Sequence, residues 1–116
     1  MDGEHRLEFD LIRALQEASD QRRDPEVVTP ILDQLIDFTE AHFLSEELLM
    51  RLASYDGYSE HAEEHQELLE SLKGIQQRYN STGQPEYVAQ VARSAMAFLT
   101  RHVRTSDARF AEWQRQ

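Results

Sequence analysis

The chain has 116 residues, 40% of them hydrophobic and 29% charged, with a mean hydropathy of −0.68, the size and balance of one water-soluble domain with a single core. Twelve Lys and Arg face 22 Asp and Glu, a formal net charge of −10 that repels phosphate backbones and anionic lipid, so neither nucleic acid nor a membrane is an expected partner. With no cysteine there is no disulfide, thiolate metal site or cysteine nucleophile, and any bound metal must take nitrogen and oxygen ligands.

No stretch approaches the roughly 18 to 20 apolar residues of a membrane span, and the first residues lack the basic-then-apolar pattern of a signal peptide. A cytoplasmic setting is the expectation. Glu4 to Gln21 carries Leu7, Phe9, Leu11, Ile12 and Leu15 at helical period and predicts a first helix. Asp24-Pro25 and Thr29-Pro30 each offer an N-cap followed by Pro at the first helical position, so either starts the second helix, and the later pair lies closer to the strong periodicity. That helix runs through Ile31, Leu35, Phe38, His42, Ser45, Glu46 and Leu49 to an end near Tyr55.

Asp56-Gly57 signals a turn and Ser59 an N-cap, before a third helix with His61, His65, Leu68, Leu72, Ile75 and Tyr79 on one stripe. Asn80 to Pro85 breaks it. A fourth helix has Pro85 in its first turn and carries Val88, Val91, Ala92, Ala95, Phe98, Leu99 and His102 inward; Ser106 to Trp113 extends it or adds a short turn. Four amphipathic helices with short connectors predict an all-α, antiparallel up-down-up-down four-helix bundle with a short C-terminal extension, one domain over residues 1–116.

All five histidines, His5, His42, His61, His65 and His102, fall on inward stripes. A lone buried histidine is usually a satisfied core residue; five together, with carboxylates at ligand spacing, are another matter. His42 and Glu46 stack one turn apart, as do His61 and His65. His102 and Asp107 are five apart, off register for an α-helix, which predicts a local unwinding or π-type bulge. Burying five imidazoles and two carboxylates unpaired costs several kcal/mol; cations remove that cost. Seven donors exceed one zinc and suit two iron or manganese ions bridged by the carboxylates.

The series His5, His42-Phe43-Leu44-Ser45-Glu46, His61-Ala62-Glu63-Glu64-His65 and His102 with Asp107, flanked by Asp2-Gly3-Glu4 and by Glu47-Leu48-Leu49-Met50, resembles the seven-ligand signature of hemerythrins and bacterial hemerythrin-like domains, from Asp2 to Phe110. The resemblance implies a non-haem di-iron centre: His61, His65 and His102 on one iron, His5 and His42 on the other, with Glu46, Asp107 and an oxo or hydroxo group as bridges. It implies dioxygen as the partner, bound at the open position of the two-histidine iron in an apolar pocket for which Phe43, Phe98 and Leu99 are the wall residues. Oxygen or redox sensing is the expectation, ahead of transport. The leader that precedes the first helix in stand-alone members is missing, which points to a module of a longer signalling protein with its own output domain. The alternative is a di-iron enzyme that reduces dioxygen or decomposes peroxide or nitric oxide.

One position departs from the family pattern. Glu8, three residues after the first histidine, stands where an aliphatic side chain is usual near the open iron. Either the first helix is rotated so that Leu7 and Phe9 face inward and Glu8 reaches solvent, or Glu8 is an additional ligand or hydrogen-bonds a bound water. Glu47, Glu63 and Glu64 are expected to be solvated, Met50 and Met96 to fill the core, and Tyr55 and Trp113 to close the bundle end.

Overall fold

Proline and glycine cut the chain where the helices change. The computed structural model describes residues 2–115, apart from the side chains at positions 2–4 and 106, so Met1 and Gln116 lie outside the described residues. Helix α1 spans Asp2–Asp20, α2 Pro25–Leu52, α3 Tyr58–Thr82 and α4 Pro85–His102; a π-helical turn over Val103–Asp107 leads into a short α5, Ala108–Gln114. Of the two starts for α2 the earlier is taken. Asp24 is extended (φ −64°, ψ 154°) and Pro25 opens the helix with its φ already set. Pro30 then sits in the second turn with its ring exposed, where it forfeits one hydrogen bond near the helix end.

α2 ends at Leu52, three residues before the expected Tyr55, because Ser54 adopts a left-handed φ of 56° and the Tyr55 amide folds back onto Met50 O. α3 begins at Tyr58 after Gly57, so Ser59 lies inside the first turn instead of capping it. At its other end α3 runs past Asn80 to Thr82 and stops at Gly83, whose φ of 68° suits the C-cap and whose amide donates to Tyr79 O.

α1 packs on α2 and α4, and α3 packs on the same two helices, giving a closed ring of four neighbours. Connectors this short force each helix to run back against its predecessor. The particle is elongated, 49 × 22 × 18 Å, its length set by the 28 residues of α2, about 42 Å at 1.5 Å per residue. Ile12, Leu15, Leu32, Leu35, Leu72, Val91 and Ala92 are fully buried and fill the interior with Val28, Ile75, Tyr79 and Val88. These residues occupy the later half of α1, the earlier half of α2, the later half of α3 and the earlier half of α4. Antiparallel order puts those four half-helices at one end of the bundle. The opposite end receives the histidines.

On α1 the buried positions are His5, Glu8, Ile12, Leu15 and Ala18, a stripe stepping by three and four residues. Leu7, expected inward, is 48% exposed, whereas Phe9 and Leu11 are half-buried. The rotation that would turn Glu8 to solvent does not occur: Glu8 is 3% exposed.

Candidate metal centre

The five histidines and two carboxylates converge from four helices and the π turn. Glu46 and all five histidines are buried, and the Asp107 side chain is 9% exposed. The donors fall into two groups. Nε2 of His102 lies 2.9 Å from Nε2 of His61 and 3.0 Å from Nε2 of His65. Glu46 Oε1 joins this group, in contact with His61 Nε2 and 3.3 Å from His65 Nε2. The second group gathers His5, His42 and Glu46.

Each carboxylate spans both groups. Glu46 turns Oε1 toward the three-histidine group and Oε2 toward His42 Nε2, 3.4 Å away. Asp107 turns Oδ1 toward His61 (3.4 Å) and His102 (3.3 Å), and Oδ2 toward His5 (3.1 Å). Asp107 reaches this place because Val103–Asp107 is a π turn, whose i→i+5 pattern brings residues five apart onto one face. The bulge expected from the His102–Asp107 spacing is therefore present.

The donor chemistry asks for a cation. His65 Nδ1–H donates to Glu47 Oε2 (2.8 Å) and His102 Nδ1–H to Glu64 Oε2 (3.1 Å). With Nδ1 protonated, each ring has only Nε2 to turn toward the other across 3.0 Å, two lone pairs face to face unless a proton or a metal ion lies between them. Adjacent ligands of a six-coordinate metal with bonds of about 2.1 Å stand about 3.0 Å apart, so these spacings are those of a coordination shell. His5 Nε2, Glu46 Oε2 and both Asp107 oxygens are buried without a well-aligned hydrogen bond, the atoms a second cation would occupy.

Without metal the cluster must hold protons. Burial alone would push the Glu46 carboxyl up, but the imidazoles of His102, His42, His61 and His65 outweigh it and hold it far below the carboxylate range; His102, His5 and His61 do the same for Asp107. Burial would depress His102, yet Asp107 and Glu46 prevail and push it up to about 9, and they raise His61 likewise.

Two residues expected in solvent belong to the site. Glu47 and Glu64 orient the rings of His65 and His102, whereas Glu63 is exposed as expected. Metal-binding imidazoles regularly give their second N–H to a carboxylate, so an acidic residue beside each ligand was the available signal. Of the expected wall residues, Phe43 stacks face to face on His65 (centroids 3.7 Å, 2° between planes), Phe98 stacks on His102 (4.8 Å, 22°), and Leu99 is buried in the core. Met50 is fully buried and Met96 packs against the core, while Tyr55 lies against Phe110 and Trp113 at the bundle end.

Cavities reach the site at His5, on the two-histidine side, and a small hollow also touches His61. A cavity of about 240 Å³ has His5 and Asp107 on its wall beside Leu49, Val103, Phe110 and Ala111. Glu8 also lies on this side: its Oε1 accepts from Thr39 Oγ1 at 2.8 Å and Oε2 is buried without a partner. Burial pushes its carboxyl up, offset by the Thr39 hydrogen bond and the His42 and His5 imidazoles. Thr39, one turn before His42 on α2, was not singled out by the sequence pattern.

Residues 1–113 match the family model described as the hemerythrin HHE cation binding domain. The chain belongs to the hemerythrin family. Relatives spanning most of both chains include a bacteriohemerythrin of Methylococcus capsulatus (27% identity over 106 residues, 91% of this chain and 79% of the relative) and the myohemerythrin of Sipunculus nudus (28% over 110 residues, 95% and 79%). A bacteriohemerythrin of Aquifex aeolicus is 27% identical over 113 residues, 97% of this chain and 86% of its own length. The centre of a hemerythrin domain is a pair of non-haem irons, and the donors gathered here fit such a pair. Among the described residues no helix is long and apolar enough to cross a membrane.

Proposed function

We propose that residues 1–116 form a single di-iron domain that binds dioxygen and reports oxygen or redox state, in preference to carrying oxygen. His61, His65 and His102 would hold one iron, His5 and His42 the other, with Glu46 and Asp107 linking the two. The observation that carries this reading is the split of each carboxylate, one oxygen toward each histidine group. Five of the seven donors (His5, Glu46, Asp107, His65 and His102) otherwise bury atoms without a well-aligned hydrogen bond or face a like nitrogen, which one ion could relieve only on one side.

When bound, the iron pair supplies two electrons and a coordination position for dioxygen. The chain's own residues do the rest. Glu47 and Glu64 fix the tautomers of His65 and His102, so Nε2 is the free donor in each. Phe43 and Phe98 brace those rings and, with Leu99, wall the centre against water. His5 and Asp107 lie on the cavity by which a small molecule enters. A reporting role is favoured over carriage by Glu8, a polar group on the side where a stable oxygen complex needs an apolar wall.

The test is the visible spectrum of the iron-loaded chain, reduced without air and then exposed to oxygen. Oxidation within the mixing time, without a long-lived oxygenated absorption band, is the expected outcome. A band that persists for minutes and bleaches when oxygen is withdrawn would sink the reporting role and restore carriage.

A further inference from the structure

Among the described acidic side chains of α1, Glu8 alone is buried; Asp10, Glu17 and Asp20 are exposed. Its place in the inward stripe, one turn from His5, leaves it no route to water. Thr39 Oγ1 takes up Oε1 at 2.8 Å and so fixes the plane of the carboxyl group, leaving Oε2 as an orphan. The ionisable groups that act on it are His42, His5 and Glu46, two imidazoles and one carboxylate, all belonging to the two-histidine group. A buried carboxylate with one unsatisfied oxygen is unfavourable unless a cation meets it, and both cationic candidates are already metal-binding imidazoles.

The donor count points the same way. The three-histidine group has five protein donors once Glu46 and Asp107 are included: His61, His65, His102 and one oxygen from each carboxylate. The two-histidine group has four. We infer that Glu8 is the fifth donor of that group, with Oε2 ligating the ion held by His5 and His42 while Thr39 anchors Oε1. The inference rests on the di-iron reading above and deepens it. With Glu8 bound, the two-histidine ion is as fully enclosed by protein as its neighbour and carries a harder donor set of two nitrogens and three oxygens. A small external ligand must then displace Glu8 to bind.

The test uses the iron-loaded full chain in its oxidised form, titrated with azide and followed by the azide-to-iron charge-transfer band, in wild type, Glu8→Gln and Glu8→Leu, with iron content measured for each. Glu8→Gln keeps an acceptor for Thr39 but lacks a ligating carboxylate; Glu8→Leu keeps the volume. Both variants should bind azide at least about tenfold more tightly than wild type, or release the two-histidine iron while the helical circular dichroism is retained. Equal azide affinity in all three at two irons per chain overturns the inference, as does tightening in Glu8→Leu alone, which marks an effect of polarity. Fewer than one iron in wild type instead defeats the di-iron reading beneath it. A crystal structure of the iron-loaded wild type decides without variants: a Glu8 oxygen about 2.0–2.2 Å from the metal supports ligation, and one beyond 3 Å overturns it.

Discussion

The two halves of the metal centre are built differently. In the three-histidine half, Nε2 atoms already stand 2.9 and 3.0 Å apart, two rings are tied through Nδ1 to carboxylates, and Phe43 and Phe98 stack on their faces. In the two-histidine half, His5 and His42 meet edge to face at 5.1 Å, a cavity reaches His5, and a buried glutamate stands by. The first half is organised in advance to hold an ion. The second is arranged to control what reaches one.

The comparison can be broken at its joint. Glu46→Ala removes one of the two carboxylates common to both halves, so iron should fall below one per chain and the iron-loaded melting temperature should drop to that of the metal-free chain, as followed by metal analysis and thermal unfolding. The halves separate in the next pair. His102→Ala should empty the three-histidine half and, through Asp107, weaken its neighbour, whereas His5→Ala should keep about one iron per chain; equal losses would erase the distinction.

The outer carboxylates sharpen it further. Glu47→Gln and Glu64→Gln should each weaken metal binding about 10- to 100-fold, more for Glu47, whose side chain is 20% exposed against 37% for Glu64. Competition with a chelator measures this. Ala111→Trp should fill the cavity beside His5 and slow azide entry several-fold in stopped flow, with iron content unchanged.

The smallest effect is expected in the metal-free chain. Glu46 and Asp107 titrate below their ordinary range, so the stability they add is present at neutral pH and is lost as pH falls through their lowered range. His61 and His102 are raised, so their contribution is complete below about 6.5 and is lost at higher pH, for His102 as pH climbs through about 9. Metal-free melting temperature against pH should therefore peak between these limits; a flat profile would show that the histidine–carboxylate contacts do not form without metal.

Much of this was legible in the sequence because a helix converts spacing into direction. His42 and Glu46, and His61 and His65, share a face by being four apart, and the misfit of five between His102 and Asp107 told of the π turn. The helix ends were less legible, since Asp24-Pro25 and Thr29-Pro30 are equivalent locally and the choice falls to packing along α2. Glu47 and Glu64 were misplaced for a related reason. Each points away from its own helix's stripe, but a glutamate is long enough to reach a ring on the next helix, and a contact 18 or 38 residues away leaves no mark on local periodicity. Glu8 had two consistent readings, and what decided between them was the 3–4–3 stepping of His5, Glu8, Ile12 and Leu15 once α1 was docked on α2 and α4.

The central claim is that Glu46 and Asp107 join two histidine groups into one centre. Electron paramagnetic resonance on the oxidised chain, alongside an iron count, tests it most directly. Two irons per chain with no ferric signal, the pair being coupled through its bridges, is the predicted result. An intense mononuclear ferric signal accounting for the iron would show that the halves act apart, contradicting the account.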